Sequence, residues 1–132
     1  MPGWGVIPAL RFADLDAAID FYVRVLGFTV RRAPDVHANA SLTYGDATVM
    51  LEAPADFFGE GYNLAIRQRL GKAGPNALYI EAEDLQALWD RVTAAGVQVV
   101  DPLAPRPWGQ WEFTIEDLAG NWLTFWQKLP GN

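Results

Sequence analysis

The chain has 132 residues, with 10 lysines and arginines against 16 aspartates and glutamates, one histidine and no cysteine. That length suits one domain burying roughly two thirds of the unfolded chain's surface, and the lack of cysteine excludes disulfides and thiolate metal sites. A net charge of −6 opposes nucleic-acid binding, whose affinity depends on neutralising many phosphates, and mildly favours cationic ligands.

The first residues, "MPGWGVIPALRFADLD", lack the basic region and apolar run of a signal peptide, and no later stretch approaches the roughly 18 apolar residues of a membrane span. A cytoplasmic protein is expected. Residues 6–12, "VIPALRF", read as a strand running into "ADLDAAIDFYVRVLG". There Asp14 can cap a helix whose apolar positions Leu15, Ala18, Ile19, Tyr22 and Leu26 recur at helical spacing, and Gly27 stops it. Strand-like runs follow at about 28–32, 40–45 and 47–52, with a tight hairpin at Gly45-Asp46. Residues 53–75 are richer in glycine and charge and read as a loop holding a short helix over Tyr62 to Leu70. That loop either covers a site or simply links two modules.

The order then recurs. "NALYIEA" reads as a strand, "EDLQALWDRVTAAG" as a capped helix ending at Gly96, "VQVV" as a strand, and "PWGQWEFTIEDLAGNWLTFW" as a hairpin around "LAGN". Aligning the two Asp-Leu starts puts Leu15 on Leu85, Ala17 on Ala87, Ile19 on Trp89 and Asp20 on Asp90. The expectation is one α+β domain over 1–132 made of two βαβββ modules: module one at about 5–53, a connecting loop at 54–75, and module two at about 76–128.

Catalytic signatures are scarce. Ser41 is the only serine and falls in a strand-like run, with no nucleophile elbow around it. His37, in "APDVHANA", reads as a solvated loop residue, and "GKAGPN" lacks the Walker pattern. Among the carboxylates, Glu112, Glu116 and Asp117 read as lining a strand edge and a turn, with no acid/base couple. The hairpin, by contrast, holds four of the six tryptophans. Strand alternation puts Trp122, Thr124 and Trp126 on one face and Leu123 and Phe125 on the other. Trp111, Phe113 and Ile115 alternate as a buried face should, Trp89 reads as core, and Trp108, between Pro107 and Gly109, reads as a turn residue at a rim.

The segments "FADLDAAIDFYVRVLGF" and "PWGQWEFTIEDLAGNWLTF", set in this duplicated pattern, resemble the vicinal-oxygen-chelate superfamily, the glyoxalase and bleomycin-resistance group. The resemblance covers nearly the whole chain. It implies that the modules form a curved mixed sheet around a cleft, where the enzymes hold one divalent metal with His, Gln or Glu from four equivalent strand positions. Those positions fall at about Ile7, Met50, Ala77 and Thr124, three of them apolar and the fourth a hydroxyl, so no metal and no cofactor are expected. One histidine also precludes a two-His-one-carboxylate iron site within one chain.

By motif the nearest branch is the bleomycin-resistance proteins, small acidic dimers that sequester a flat, cationic antibiotic without catalysis. Trp108 and Tyr79 fall at the aromatic positions that sandwich the drug's planar group, and Thr124 at the cleft-facing ligand position, which turns Trp122 and Trp126 toward the cleft. The implied ligand site is therefore Trp108, Tyr79, Trp122, Trp126, Thr124 and Gly109. A homodimer follows from the resemblance, with strand exchange between subunits left open. Arg31 and Arg32 stand where the family has further aromatic contacts; they disfavour a cation unless turned outward or paired, and leave room for another planar or an anionic ligand. The expected function is metal-free sequestration of a planar antibiotic of the bleomycin type. The alternative is a lyase or dioxygenase-like enzyme of the superfamily with an atypical or lost metal site.

Overall fold

An aspartate starts each helix in the computed structural model, which describes residues 7–34, 38–53 and 76–129 and the single positions 64 and 68. Helix α1 (Leu15–Asp20) follows Asp14, whose Oδ1 accepts the N–H of Ala17 at 3.0 Å. Helix α2 (Leu85–Ala94) follows Asp84, which accepts from Ala87 at 3.1 Å. Each cap satisfies one of the amide donors that a helix start leaves without an intrahelical partner. Gly27 and Gly96, at φ 86° and 71°, terminate the two segments in the left-handed region where a side chain would be strained.

The first helix departs from the expected uninterrupted α pattern. After Asp20 it widens into a π turn over Phe21–Val25, with the N–H of Leu26 donating to the carbonyl of Phe21 at 3.2 Å. The wider turn lets Tyr22, Val25 and Leu26 all be buried. Tyr22 then meets Phe12 and Phe28 edge-on, with ring centroids 6.0 and 5.2 Å apart.

The chain divides into two units, Met1–Ala73 and Gly74–Asn132. In the first, strands β1 (Ala9–Arg11), β2 (Thr29–Arg32), β3 (Asn39–Tyr44) and β4 (Ala47–Glu52) form a sheet in the order β1-β4-β3-β2, with β1 parallel to β4. Gly45, at φ 57°, makes the two-residue turn between β3 and β4. In the second, β5 (Ala77–Glu81), β6 (Val99–Pro105), β7 (Gln110–Glu116) and β8 (Trp122–Lys128) repeat the order as β5-β8-β7-β6, with β5 parallel to β8. The parallel pairs Ala9↔Met50 and Tyr79↔Thr124 occupy equivalent places in the two sheets. The fold is α+β, two βαβββ modules each with a four-stranded mixed sheet.

Two connections explain themselves locally. Between β7 and β8, Asp117 Oδ1 accepts the N–H groups of Ala119 and Asn121, both at 2.9 Å, and its Oδ2 accepts from the Asn121 amide at 2.8 Å. The "DLAGN" segment is thus a turn closed by one buried carboxylate. Strand β6 runs five residues past the expected "VQVV" and includes Pro102 and Pro105. It is an edge strand with two register shifts, where a missing N–H costs no ladder bond.

The expected helix over Tyr62 to Leu70 lies outside the described residues except for the helical positions Leu64 and Gln68, and His37 also lies outside them. Among the described residues, no helix is long and apolar enough to cross a membrane.

In module two the covered face of the sheet carries Ile80, Phe113, Ile115, Leu123 and Phe125, and α2 contributes Leu85, Leu88 and Val92, all buried. Trp89 is half-buried at the margin of this layer, its ring 5.1 Å from that of Phe113. Trp111 departs from its expected place in the core. It is 38% exposed, because it stands near the start of β7 opposite Pro105 and Gln127, two residues before the Phe113 that Trp89 reaches.

Truncation should separate these positions. Phe125→Ala should cost about 3–5 kcal/mol as a cavity in a filled layer, whereas Trp111→Ala should cost about 1 kcal/mol or less. Urea unfolding of the two variants measures the difference, and similar losses would refute the layer assignment.

Candidate functional site

Register fixes which side chains of module two share the face that α2 does not cover. Across the sheet Tyr79 pairs with Thr124 and Thr124 with Thr114; Glu81 pairs with Trp126 and Trp126 with Glu112; Ala77 pairs with Trp122 and Trp122 with Glu116. Laterally paired residues point the same way. Tyr79, Trp122, Thr124 and Trp126 therefore lie on one face with Glu112, Thr114 and Glu116, opposite the buried Leu123 and Phe125.

Trp108 reaches this face from the loop between β6 and β7. Arg106 N–H donates to the Gln110 carbonyl at 2.7 Å, and Gly109 N–H to the Arg106 carbonyl at 3.1 Å, which closes the loop. Gly109 sits at φ 90°, a conformation that a side chain would strain. The Trp108 ring is left 61% exposed while its indole N–H donates to Glu112 Oε1 at 2.5 Å.

Glu112 is the residue on which the site converges, and sequence reasoning placed it wrongly. It was expected at a strand edge, but β7 lies between β6 and β8, and Glu112 is only 4% exposed. Its carboxylate accepts from Trp108 and also interacts with the hydroxyl of Tyr79. Burial of that hydroxyl, then the hydrogen bond to Glu112 and its negative charge, push the Tyr79 pKa up to about 12, while Arg106 and Trp108 act in the opposite direction. Tyr79 as a whole is 60% exposed. Arg106 is held by Asp101 at 3.0 Å and donates to the Pro102 carbonyl at 2.9 Å. A two-residue alternation, Glu112, Thr114, Glu116 against Phe113, Ile115, was the signal in the sequence that could have found this polar row.

The other expected residues are less tightly gathered. Trp126 is half-buried and pairs directly with Glu112. Trp122 lies four residues away on β8, roughly 13 Å along the strand, and its indole N–H donates to Glu116 at 3.3 Å. Thr124 shares a 2.7 Å hydroxyl contact with Thr114. That contact bears on metal chemistry. Met50 and Thr124 occupy matching places in the two sheets, and with Ile7 and Ala77 they offer two aliphatic chains, a thioether and one hydroxyl engaged by another. In neither module do these side chains suit a hard or borderline divalent ion. Among the described residues no three His, Cys, Asp or Glu side chains come together.

Known proteins agree on the family. The profile of the glyoxalase/bleomycin resistance protein/dioxygenase superfamily matches residues 7–125. A lactoylglutathione lyase of Neisseria meningitidis serogroup A is 30% identical over 130 residues, spanning 93% of this chain and 89% of the relative. Of solved structures, TioX from Micromonospora sp. ML1 superposes with a TM-score of 0.73 at 28% identity, over 96% of this chain and all of that one. A bleomycin resistance determinant encoded on transposon Tn5 superposes with a TM-score of 0.67 at 19% identity, over 93% and 96% of the two chains. At that identity the likeness is one of fold.

The Tyr79 hydroxyl supplies a test of the geometry. An acid whose pKa is raised on folding adds stability below its unfolded value, here about 10, and loses it as pH rises toward about 12. Phenolate absorbance should therefore show Tyr79 titrating late, identified as the tyrosine whose signal Tyr79→Phe removes. Glu112→Gln should bring that titration part of the way down, because the desolvation that contributes most to the shift remains. A Tyr79 that titrates at the ordinary value in the parent protein would refute the contact with Glu112.

Proposed function

The chain belongs to the glyoxalase/bleomycin resistance protein/dioxygenase superfamily, and we propose that within it the protein is a metal-free binder that sequesters a planar, cationic antibiotic of the bleomycin type. The observation that carries this reading is the pair of exposed rings, Tyr79 and Trp108, whose polar edges converge on the one buried carboxylate of Glu112. Anchoring by the edge restrains a ring while leaving its face to a ligand, and stacking on such faces buries large area with little demand on detail. The Glu112 charge at their polar edges favours a cationic ring system through its field, and the ring faces favour it through cation–π contact. In this reading Trp126, Thr124 and Gly109 extend the surface, and Trp122 lies further along it.

The two modules act as one domain in this proposal, and the protein works as a cytoplasmic homodimer. Exposed Tyr79, Val100, Trp108, Trp111, Leu118 and Trp122 on module two support a partner or ligand, since monomers rarely leave so much apolar surface uncovered.

The second reading is an enzyme of the superfamily with an atypical or lost metal site, favoured by the 30% identity to a lactoylglutathione lyase. The side chains of Ile7, Met50, Ala77 and Thr124 speak against it. Elemental analysis after mild purification decides between the readings. The binder should contain negligible metal, and close to one zinc, nickel, iron or manganese per chain would favour the enzyme.

Removing the Trp108 ring tests the binding face directly. Trp108→Ala should lose about 0.5–1.5 kcal/mol of stacking, roughly two- to twelvefold in affinity for bleomycin measured by tryptophan fluorescence. Stability should fall by only about 1 kcal/mol, from the lost hydrogen bond. A variant that melts far below the parent while binding unchanged per folded molecule would make Trp108 a structural residue and end the proposal.

A further inference from the structure

The loop that carries Trp108 leaves β6 through a bulge. β6 pairs with β7 as Asp101↔Thr114 and next as Ala104↔Glu112, so the chain advances from 101 to 104 on one strand against 114 to 112 on the other. A bulge leaves its extra residue out of the ladder, and the Pro102 carbonyl takes its hydrogen bond from a side chain instead. That side chain is Arg106. Its Nη2 donates to the Pro102 carbonyl at 2.9 Å and to the Glu112 carbonyl at 3.4 Å, and it pairs with Asp101 Oδ2 at 3.0 Å. One nitrogen thus ties the bulge to β7. The Arg106 side chain is only 16% exposed, against 55% for Asp101. A guanidinium so covered is costly without partners, and these three oxygens supply them.

Glu112 holds the loop at two points. Its carboxylate accepts the Trp108 indole N–H, and its carbonyl accepts from Arg106, two residues earlier in the chain. Backbone bonds complete the frame, since the Gly109 N–H donates to the Arg106 carbonyl and the Leu129 N–H to the Gly109 carbonyl, both at 3.1 Å. The ring of a residue as exposed as Trp108 is directed by hydrogen bonds and by where its loop begins, more than by packing. The Arg106 charge also reaches the Tyr79 hydroxyl, whose pKa it acts to lower. The guanidinium therefore stands beside the same pair of rings.

We propose that Arg106, clamped by Asp101, is the positioning residue of the binding face: it braces the β6 bulge against Glu112 and so presets the Trp108 ring for a flat ligand. Presetting matters because every mobile side chain that must be ordered on binding lowers affinity. The inference rests on the antibiotic-binding reading for its ligand, whereas the restraint on the indole is a property of the free protein.

Nitrogen-15 spectra of the intact chain test the restraint, and bleomycin titration tests its consequence. The Trp108 indole N–H is the resonance that Trp108→Phe removes. That of Trp122, bonded to Glu116 and assigned through Trp122→Phe, serves as the control. Arg106→Met should speed exchange of the Trp108 indole proton with water by about fivefold or more and leave Trp122 unchanged. It should also weaken bleomycin about three- to tenfold per folded molecule. Arg106→Lys keeps the charge opposite Asp101 but not the planar fork, and should fall between Arg106→Met and the parent. Asp101→Ala alters a half-exposed side chain, and should shift the Trp108 exchange in the same direction by about twofold even if Arg106→Met does not fold. The inference is overturned by unchanged Trp108 exchange in the Arg106 and Asp101 variants, by an equal change at Trp122, or by parental bleomycin affinity in Arg106→Met. A parent that binds no bleomycin, while Trp108 exchange responds as expected, ends the antibiotic reading and supports the brace.

Discussion

In each module the last strand returns to lie parallel beside the first, and that one pairing decides which side chains can form a site. β4 joins β1 at Ala9↔Met50 and β8 joins β5 at Tyr79↔Thr124. Because side chains alternate with a period of two, a slip of one residue would turn the Trp122, Thr124 and Trp126 row into the core and push Leu123 and Phe125 into solvent. The filled layer beneath α2, with Phe113 and Phe125 at 5.6 Å between ring centroids, holds the register in place. The hydrophobic layer and the uncovered aromatic face are two consequences of the same pairing.

On that face the governing contact is electrostatic. A carboxylate as buried as Glu112 is costly unless it is hydrogen-bonded, and Trp108 and Tyr79 meet that requirement from two different elements. The arrangement explains why large aromatic residues tolerate exposure here: each is tethered by its polar edge. It also sets the Glu112 carboxylate against the polar edges of two rings whose residues are mostly exposed.

The two modules have diverged around a common frame. At the places where module two has Tyr79, Thr124 and Thr114, module one has Ala9, Met50 and Ser41. Its charge comes from β2, where one inserted residue brings Arg31 and Arg32 together. The same fold thus offers an aromatic surface around a buried carboxylate in one half and a guanidinium-bearing edge strand in the other.

What the sequence determined by itself was everything that depends on a few neighbouring residues. The Asp14 and Asp84 caps, the glycine stops at Gly27 and Gly96, the Gly45 turn, the Trp122/Thr124/Trp126 alternation and the seventy-residue offset between modules were all legible. So was the exposed setting of Trp108, because Pro107 and Gly109 leave it in a turn. Tertiary structure alone decided the rest. Glu112 was buried because β6 and β8 flank its strand, Trp111 left the core because it stands at the margin of the face that α2 covers, and Arg31 joined Arg32 because β2 slips against β3. Local conformation follows from the hydrogen bonds and sterics of adjacent residues, whereas burial and the sharing of a face depend on which strand arrives alongside, and that is settled only when distant segments pair.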